Sequence, residues 1–151
     1  MKKFKTYFLL LISTLVFFIL SFCVSKEASF TLNIKDTYYV IPEPDFYIGS
    51  SILTFISGLI YFILDMANVK LISILSKIHI YTTLILIVAL IFFNYKNNLD
   101  FKSVKFEDFM SQIDYNFYII ISLILVFSLQ FFFLINIFVA QIKNLRNIAA
   151  K

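Results

Sequence analysis

The sequence has few of the residue types with which enzymes perform chemistry. It contains one cysteine, Cys23, and one histidine, His79. A single cysteine excludes an intramolecular disulfide and a multi-cysteine metal site. The two glycines and two prolines form no phosphate-binding loop and no linker, and no nucleophile–base arrangement is recognisable. These absences predict one domain that is not an enzyme.

Charge is also scarce, and hydrophobic residues replace it. Charged residues make up 15% of the chain and hydrophobic residues 61%, with a mean hydropathy of +0.91. Ordinary soluble domains contain about 25% charged residues, so the excess apolar surface must face lipid. The net charge is +4, but the 13 Lys and Arg lie at segment ends and form no basic stripe. This distribution excludes nucleic acid as a partner and names the lipid bilayer instead.

Four apolar segments are candidates for membrane-spanning helices. A span needs roughly 20 mostly apolar residues. The third segment reaches that length if it extends back through Lys77 to Leu71, because a lysine can place its ammonium group at the interface. The predicted fold is an all-α integral membrane bundle of four transmembrane helices, with the segments Tyr7–Val24, Pro44–Leu64, Ile78–Phe93 and Phe117–Ala140.

The basic residues predict the orientation of these helices, because cytoplasmic loops of membrane proteins are rich in Lys and Arg. With a cytoplasmic N-terminus, eight basic residues lie inside and five outside; the eight are Lys2, Lys3, Lys5, Lys70, Lys77, Lys143, Arg146 and Lys151. Tyrosines concentrate near the predicted span ends, as in interfacial aromatic belts. We therefore expect a multi-pass protein of a bacterial-type inner membrane with both termini in the cytoplasm.

The first apolar segment has more than one interpretation. Basic residues, an apolar run and the residues around Cys23 also suit a secretory signal or a lipoprotein cleavage site. Residues 1–30 are thus an uncleaved anchor, a cleaved signal that leaves three spans, or the site of a lipidated Cys23. Residues 31–147 are the predicted membrane domain, and 148–151 are a cytoplasmic tail.

Three short motifs carry a family resemblance. DTYYV at Asp36–Val40, SKIHIYTTLILI at Ser76–Ile87 and SLQFFFLIN at Ser128–Asn136 occur in this order. They resemble the starts or cores of the tenth, eleventh and twelfth helices of haem-copper cytochrome oxidase subunit I. The resemblance covers roughly residues 31–147, and DTYYV is its most specific element.

The chain departs from that family at the redox centre. In the family, the helix that begins with DTYYV carries two histidines two residues apart, and they ligate the two haems. Counting from Asp36, these positions are Glu43 and Asp45 here. Neither replaces a neutral imidazole as an axial ligand. The resemblance thus implies the frame of the oxidase subunit without catalytic residues, without haem and without copper.

Several polar residues are candidates for binding a ligand, each with a simpler alternative. Asp36, Glu43 and Asp45 offer carboxylate oxygens for an external cation, but a solvated acidic loop at the start of a helix explains them too. His79 near the cytoplasmic interface is either a proton relay or a hydrogen-bonded structural histidine.

Other residues predict contacts between helices. Ser50, Thr54 and Gly58 recur every four residues, the small-residue spacing that lets two helices approach closely. Gln130 and Asn136 lie deep in the last span and need hydrogen-bonding partners there. Binding of a transported ion or substrate is the alternative role of these two amides.

Three functions remain open at this stage. The first is a non-catalytic structural or partner-binding bundle related to oxidase subunit I, which associates with a membrane protein or with itself. The second is an accessory or assembly subunit of a respiratory terminal oxidase. The third is a small channel or transporter, which the lack of a carboxylate in the middle of any span disfavours.

Overall fold

The computed structural model describes residues 5–25, 27–34, 37–103 and 115–149. Along these residues the chain forms helix α1 (Phe8–Cys23), strands β1 (Ser29–Ile34) and β2 (Thr37–Pro42), and helices α2 (Glu43–Met66), α3 (Ser73–Ser103) and α4 (Tyr115–Ala149). Three of the helices, α2, α3 and α4, are long and apolar enough to cross a membrane. The fourth, α1, is shorter, with 16 residues. The protein is a helical membrane bundle.

The expectation of an all-α chain is wrong for residues 29–34 and 37–42. These two segments form an antiparallel strand pair, the hairpin, in which Ser29 pairs with Pro42 and Ile34 with Thr37. β-branched and aromatic side chains favour strands, and they are frequent in both segments. Pro42 also disfavours helical geometry at Ile41, whereas Pro44 is tolerated because it lies in the first turn of α2.

The helices pack as two pairs, α1 with α2 and α3 with α4. Side chains from both pairs then mesh in three apolar clusters. One cluster, at the end of the bundle that contains Lys5, is formed by Tyr7, Leu10, Tyr61, Ile80 and Phe133. A second joins Phe17, Tyr47 and Ile87. The third, below the hairpin, is formed by Phe30, Leu32, Leu90, Ile119 and Val126.

Helix α2 buries its polar face and exposes its apolar face. Its buried residues are Tyr47, Ser50, Ser51, Thr54, Ser57, Gly58, Tyr61 and Leu64. Its exposed large residues include Ile48, Ile52, Phe55, Ile56, Leu59, Phe62 and Ile63. Apolar side chains are as stable in lipid as in the bundle interior, because lipid tails are equally apolar. Contacts between the helices are therefore made by small and polar residues.

Asparagine side chains fasten the hairpin to the bundle. The Asn94 amide on α3 lies 3.4 Å from both the Thr31 N–H and the Ser29 carbonyl. Asn116 on α4 accepts a hydrogen bond from the Asn33 N–H (2.7 Å) and donates one to the Asn33 carbonyl (2.6 Å). The β1 edge is therefore covered, while all six residues of β2 are exposed.

Candidate functional site

His79 lies at the centre of a buried polar network in the second turn of α3. Only 3% of its surface is exposed. Its Nδ1 lies 3.2 Å from the Tyr61 hydroxyl on α2, and its Nε2 lies 3.3 Å from Oε1 of Gln130 on α4. The imidazole stacks on Phe133 with 4.5 Å between ring centroids and 10° between planes. The histidine on α3 thus contacts α2 and α4 and links the two helix pairs.

Gln130 continues the network toward the middle of α2. Its Oε1 also accepts a hydrogen bond from the Ser57 hydroxyl at 3.5 Å. Its amide nitrogen donates to the Val126 carbonyl at 3.4 Å, one turn earlier on α4. Buried polar groups in a membrane are costly unless they are paired. This pairing makes the network a specific link between the two helix pairs.

A cleft of about 580 Å³ opens beside the network at the Lys5 end of the bundle. Tyr61 lines it from α2, and Ser76 and Ile80 line it from α3. The start of α1 and the connection between α2 and α3 complete its walls. In that connection Asn68 has φ 55°, a left-handed conformation that asparagine tolerates better than most residues.

An ion pair ties the start of α1 to the end of α2 at the mouth of this cleft. Lys5 Nζ donates to Asp65 Oδ2, and the Tyr7 hydroxyl donates to the same oxygen at 3.2 Å. The hydrogen bond to Asp65 raises the pKa of Lys5 above its ordinary value. Because both side chains of the pair are partly exposed, water screens their attraction.

The predicted packing stripe faces α1. Ser50, Thr54 and Gly58 are buried, and the Thr54 hydroxyl lies 3.1 Å from the Thr14 hydroxyl of α1. A Cβ atom on Gly58 would lie 2.9 Å from Cδ2 of Leu11. Asn136, the other predicted amide, binds the start of α3: its Oδ1 accepts from the Ile72 N–H at 3.1 Å, and its Nδ2 donates to Ser76.

Within the described residues, the candidate cation ligands Asp36, Glu43 and Asp45 are not brought together. Asp36 lies outside the described residues. Glu43 accepts a hydrogen bond from Asn94 at 2.9 Å, and Asp45 is exposed in the first turn of α2. Among the residues searched for a metal site, no group of three His, Cys, Asp or Glu side chains could hold a metal ion.

Comparison of the chain with protein-family profiles, curated proteins and solved structures finds no match.

Two residues that make these contacts, Tyr61 and Asn94, are not among the candidates predicted from the sequence. Tyr61 has a sequence signal, because it follows Ser50, Thr54 and Ser57 on the same face of α2. Asn94 has none, since the structure buries an amide that lies at the end of an apolar run. Asn94 is polar because β1 packs beside α3 and presents backbone groups that need a hydrogen-bonding partner.

Proposed function

We propose that this protein is a non-catalytic, partner-binding membrane bundle whose docking edge is strand β2. The carrying observation is the exposure of β2 on both faces and along its free edge. Tyr38, Tyr39 and Val40 are each more than half exposed, and Ile41 is exposed by 37%. These are four large apolar side chains on six consecutive residues.

Neither water nor lipid hydrocarbon alone is a favourable environment for both the backbone and the side chains of β2. Water can bond to the free backbone groups of β2 but leaves the apolar side chains hydrated, which is unfavourable. Hydrocarbon accommodates the side chains but leaves the backbone groups unpaired, which costs several kcal/mol for each group. An extended segment of another protein satisfies both, because it pairs with the edge and packs against alternate side chains.

The hairpin is also held in a fixed position, as a docking edge requires. Asn94 and Asn116 bind the backbone of β1 from two different helices. Phe30 of β1 stacks on Phe46 of α2 with 4.6 Å between ring centroids. Because β2 is already held in position, less conformational entropy is lost when a partner binds to it.

The proposal includes four spans, with both termini in the cytoplasm and the hairpin on the opposite side of a bacterial-type inner membrane. The distribution of basic residues supports this orientation. Helix α1 rises about 24 Å, less than the hydrocarbon thickness of about 30 Å. Local thinning of the bilayer and interfacial side chains at its ends accommodate a mismatch of this size.

The resemblance to oxidase subunit I favours a respiratory terminal oxidase as the partner, with this chain as an accessory or assembly subunit. Glu43 and Asp45, at the family's haem positions, lack the imidazole that an axial ligand supplies there. We expect the purified protein to show no Soret band and to consume no oxygen. A Soret band at one haem per chain would contradict the non-catalytic role.

The docking edge can be tested with a photo-crosslinking amino acid placed in β2. Incorporation at Tyr38 or Val40 should give an adduct with another membrane protein, whereas the same probe at lipid-facing Ile124 should not. An adduct of twice the chain's mass would identify a second copy as the partner. Failure of both β2 positions to yield any protein adduct would overturn the proposed function.

A further inference from the structure

The hydrogen bonds of the buried network determine which nitrogen of His79 carries the hydrogen. The amide nitrogen of Gln130 donates to the Val126 carbonyl, so Oε1 is the atom that faces His79. A carbonyl oxygen only accepts, and therefore Nε2 must donate to it. Nδ1 is then the acceptor, and the Tyr61 hydroxyl donates to it. The neutral Nε2–H form satisfies every one of these contacts.

The two ends of this network differ. At the Gln130 end, Oε1 already accepts from His79 and from Ser57, and amides do not readily take up or release protons near neutral pH. At the other end, Tyr61 lines the open cleft as well as contacting His79. Among the described residues, the cleft is therefore the side from which protons reach the imidazole.

We propose that His79 is a reversible proton-binding site, which is loaded from the cleft through the Tyr61 hydroxyl. A hydronium ion in the cleft gives one proton to the Tyr61 oxygen, and Tyr61 gives its own hydroxyl proton to Nδ1. The hydronium becomes water, His79 becomes an imidazolium, and Tyr61 remains neutral. Release follows the same steps in reverse.

The surroundings of His79 can hold the cation without breaking the network. Nε2–H keeps its bond to Gln130, and the new Nδ1–H donates to the Tyr61 oxygen, whose proton turns toward the cleft. The face of Phe133 lies 4.5 Å from the imidazole centroid, within the distance at which an aromatic ring attracts a cation. Protonation thus changes the direction of one hydrogen bond and no packing.

Charged and titratable groups face this site mainly from the cleft. The described residues of α4 that contact the imidazole, Gln130 and Phe133, are uncharged. On α3 itself Lys77 and Tyr81 are exposed. The groups that line the cleft are Lys5 and Tyr7 just before α1, Tyr61 and Asp65 of α2, and Lys70 of the connection. The carboxylate of Asp65 is paired with Lys5.

The proposal is distinct from a proton channel. Beyond Ser57, the Thr54 hydroxyl bonds to the Ser50 and Ser51 carbonyls and to Thr14. No described hydrogen bond connects Ser57 to Thr54, so the described hydrogen bonds do not continue from His79 along α2. The site binds and releases protons on one side of the membrane. It stands independently of docking at β2.

Because the chain has one histidine, ¹⁵N labelling of histidine gives one resonance for each ring nitrogen. In protein reconstituted in nanodiscs at neutral pH, we expect a protonated Nε2 and an unprotonated Nδ1. Lowering the pH toward about 4 should convert both nitrogens to the protonated form. A neutral-pH form with the hydrogen on Nδ1, or an imidazole that stays neutral throughout, would overturn the proposal.

Tyr61→Phe tests the route while it preserves the aromatic ring and its packing. Without the hydroxyl oxygen, an Nδ1–H would face an apolar ring with no acceptor, which is costly in this environment. We expect the variant to lose the conversion over the same pH range. The control Tyr81→Phe removes a hydroxyl from an exposed residue on the same helix and should titrate like the parent protein.

Proteoliposomes separate binding from conduction. After a pH jump, vesicles that contain the protein should acidify no faster than empty vesicles. Tyr61-dependent acidification would overturn the one-sided site in favour of a conducting pathway. Equal titration of Tyr61→Phe and Tyr81→Phe would instead show that protons reach His79 without Tyr61. The docking experiment at β2 gives the same result in each case, so the two proposals fail separately.

Discussion

At the scale of single residues, Gly58 offers the sharpest test of helix packing. A Cβ atom there would meet Leu11 Cδ2 at 2.9 Å and Leu10 Cβ at 3.3 Å. The second contact involves an atom fixed to the backbone of α1, so a side chain at position 58 must push the helices apart. We expect Gly58→Leu to lower the free energy of unfolding by about 1–3 kcal/mol, measured by thermal unfolding in detergent.

Gly49 provides the matched control for this change. It lies on the same helix, and a Cβ atom there would meet nothing within 4 Å. Gly49→Ala should leave the stability unchanged or raise it by up to about 1 kcal/mol, since alanine is the better helix former. Equal loss of stability in both variants would mean that the close contact with α1 is not what limits substitution at Gly58.

Lys5 predicts a pH dependence at high pH. Its pKa is raised by the hydrogen bond to Asp65, so the folded state binds this proton more tightly than the unfolded state. The stabilisation is therefore present at neutral pH and is lost as the pH rises through the folded-state pKa. Melting temperatures of the parent protein and Lys5→Gln should differ slightly at neutral pH and converge above about pH 11. A difference that grows with pH would contradict the ion pair.

The spacing of residues in the sequence indicates which side chains share a face of a helix. It does not indicate which side chains of other helices they contact. Ser50, Thr54 and Gly58 are buried on α2, and Thr54 and Gly58 contact α1. Lys77, two positions away, predicts that His79 lies near the interface. Its burial depends on Tyr61 and Gln130, which belong to other helices and cannot be paired with it from local pattern.

At the scale of elements, the asparagines predict how the hairpin depends on α3. Asn94→Ala removes the amide that binds Thr31 and Glu43; the Ser29 carbonyl, which Asn94 also contacts, keeps its hydrogen bond from Asn98. Leaving buried polar groups unpaired costs about 1–3 kcal/mol. We expect faster hydrogen exchange in residues 29–34, with the exchange of α2 unchanged, as measured by mass spectrometry.

Asn97 supplies the control for the hairpin experiment. It is partly exposed, three residues beyond Asn94 on the same helix, and Asn97→Ala should leave exchange in the hairpin unaltered. If Asn94→Ala also leaves residues 29–34 as protected as before, then the apolar contacts of Phe30 and Leu32 hold the strand without the amide.

The hairpin also shows why the elements were only partly predictable. Long apolar runs identify α2, α3 and α4, because spanning a bilayer imposes a length that sequence displays directly. The strands at residues 29–34 and 37–42 need no such length, and the DTYYV motif resembles the start of a helix. Pro42 disfavours helical geometry at Ile41, but the partner strand and its register arise from pairing with residues 29–34.

At the scale of the whole molecule, the proposed orientation makes a simple prediction. Reporter fusions after residues 30 and 105 should lie outside the cytoplasm, and a fusion at residue 151 should lie inside, because four spans return the chain to its starting side. Activity of a periplasmic reporter at residue 151 would rule out the four-span arrangement. N-terminal sequencing of the mature protein separates an uncleaved anchor from a cleaved signal.

The asparagine attachment of β1 has a consequence for the order in which the molecule is built. Thr31 precedes its partner Asn94 by 63 residues, and Asn33 precedes Asn116 by 83. The ribosome has therefore released both strands well before it synthesises either amide. During that interval the hairpin has two open edges instead of one, and open edges pair readily with other strands. Synthesis of α3 and α4 closes one of them, so the nascent chain is most exposed to mispairing before its last two helices insert.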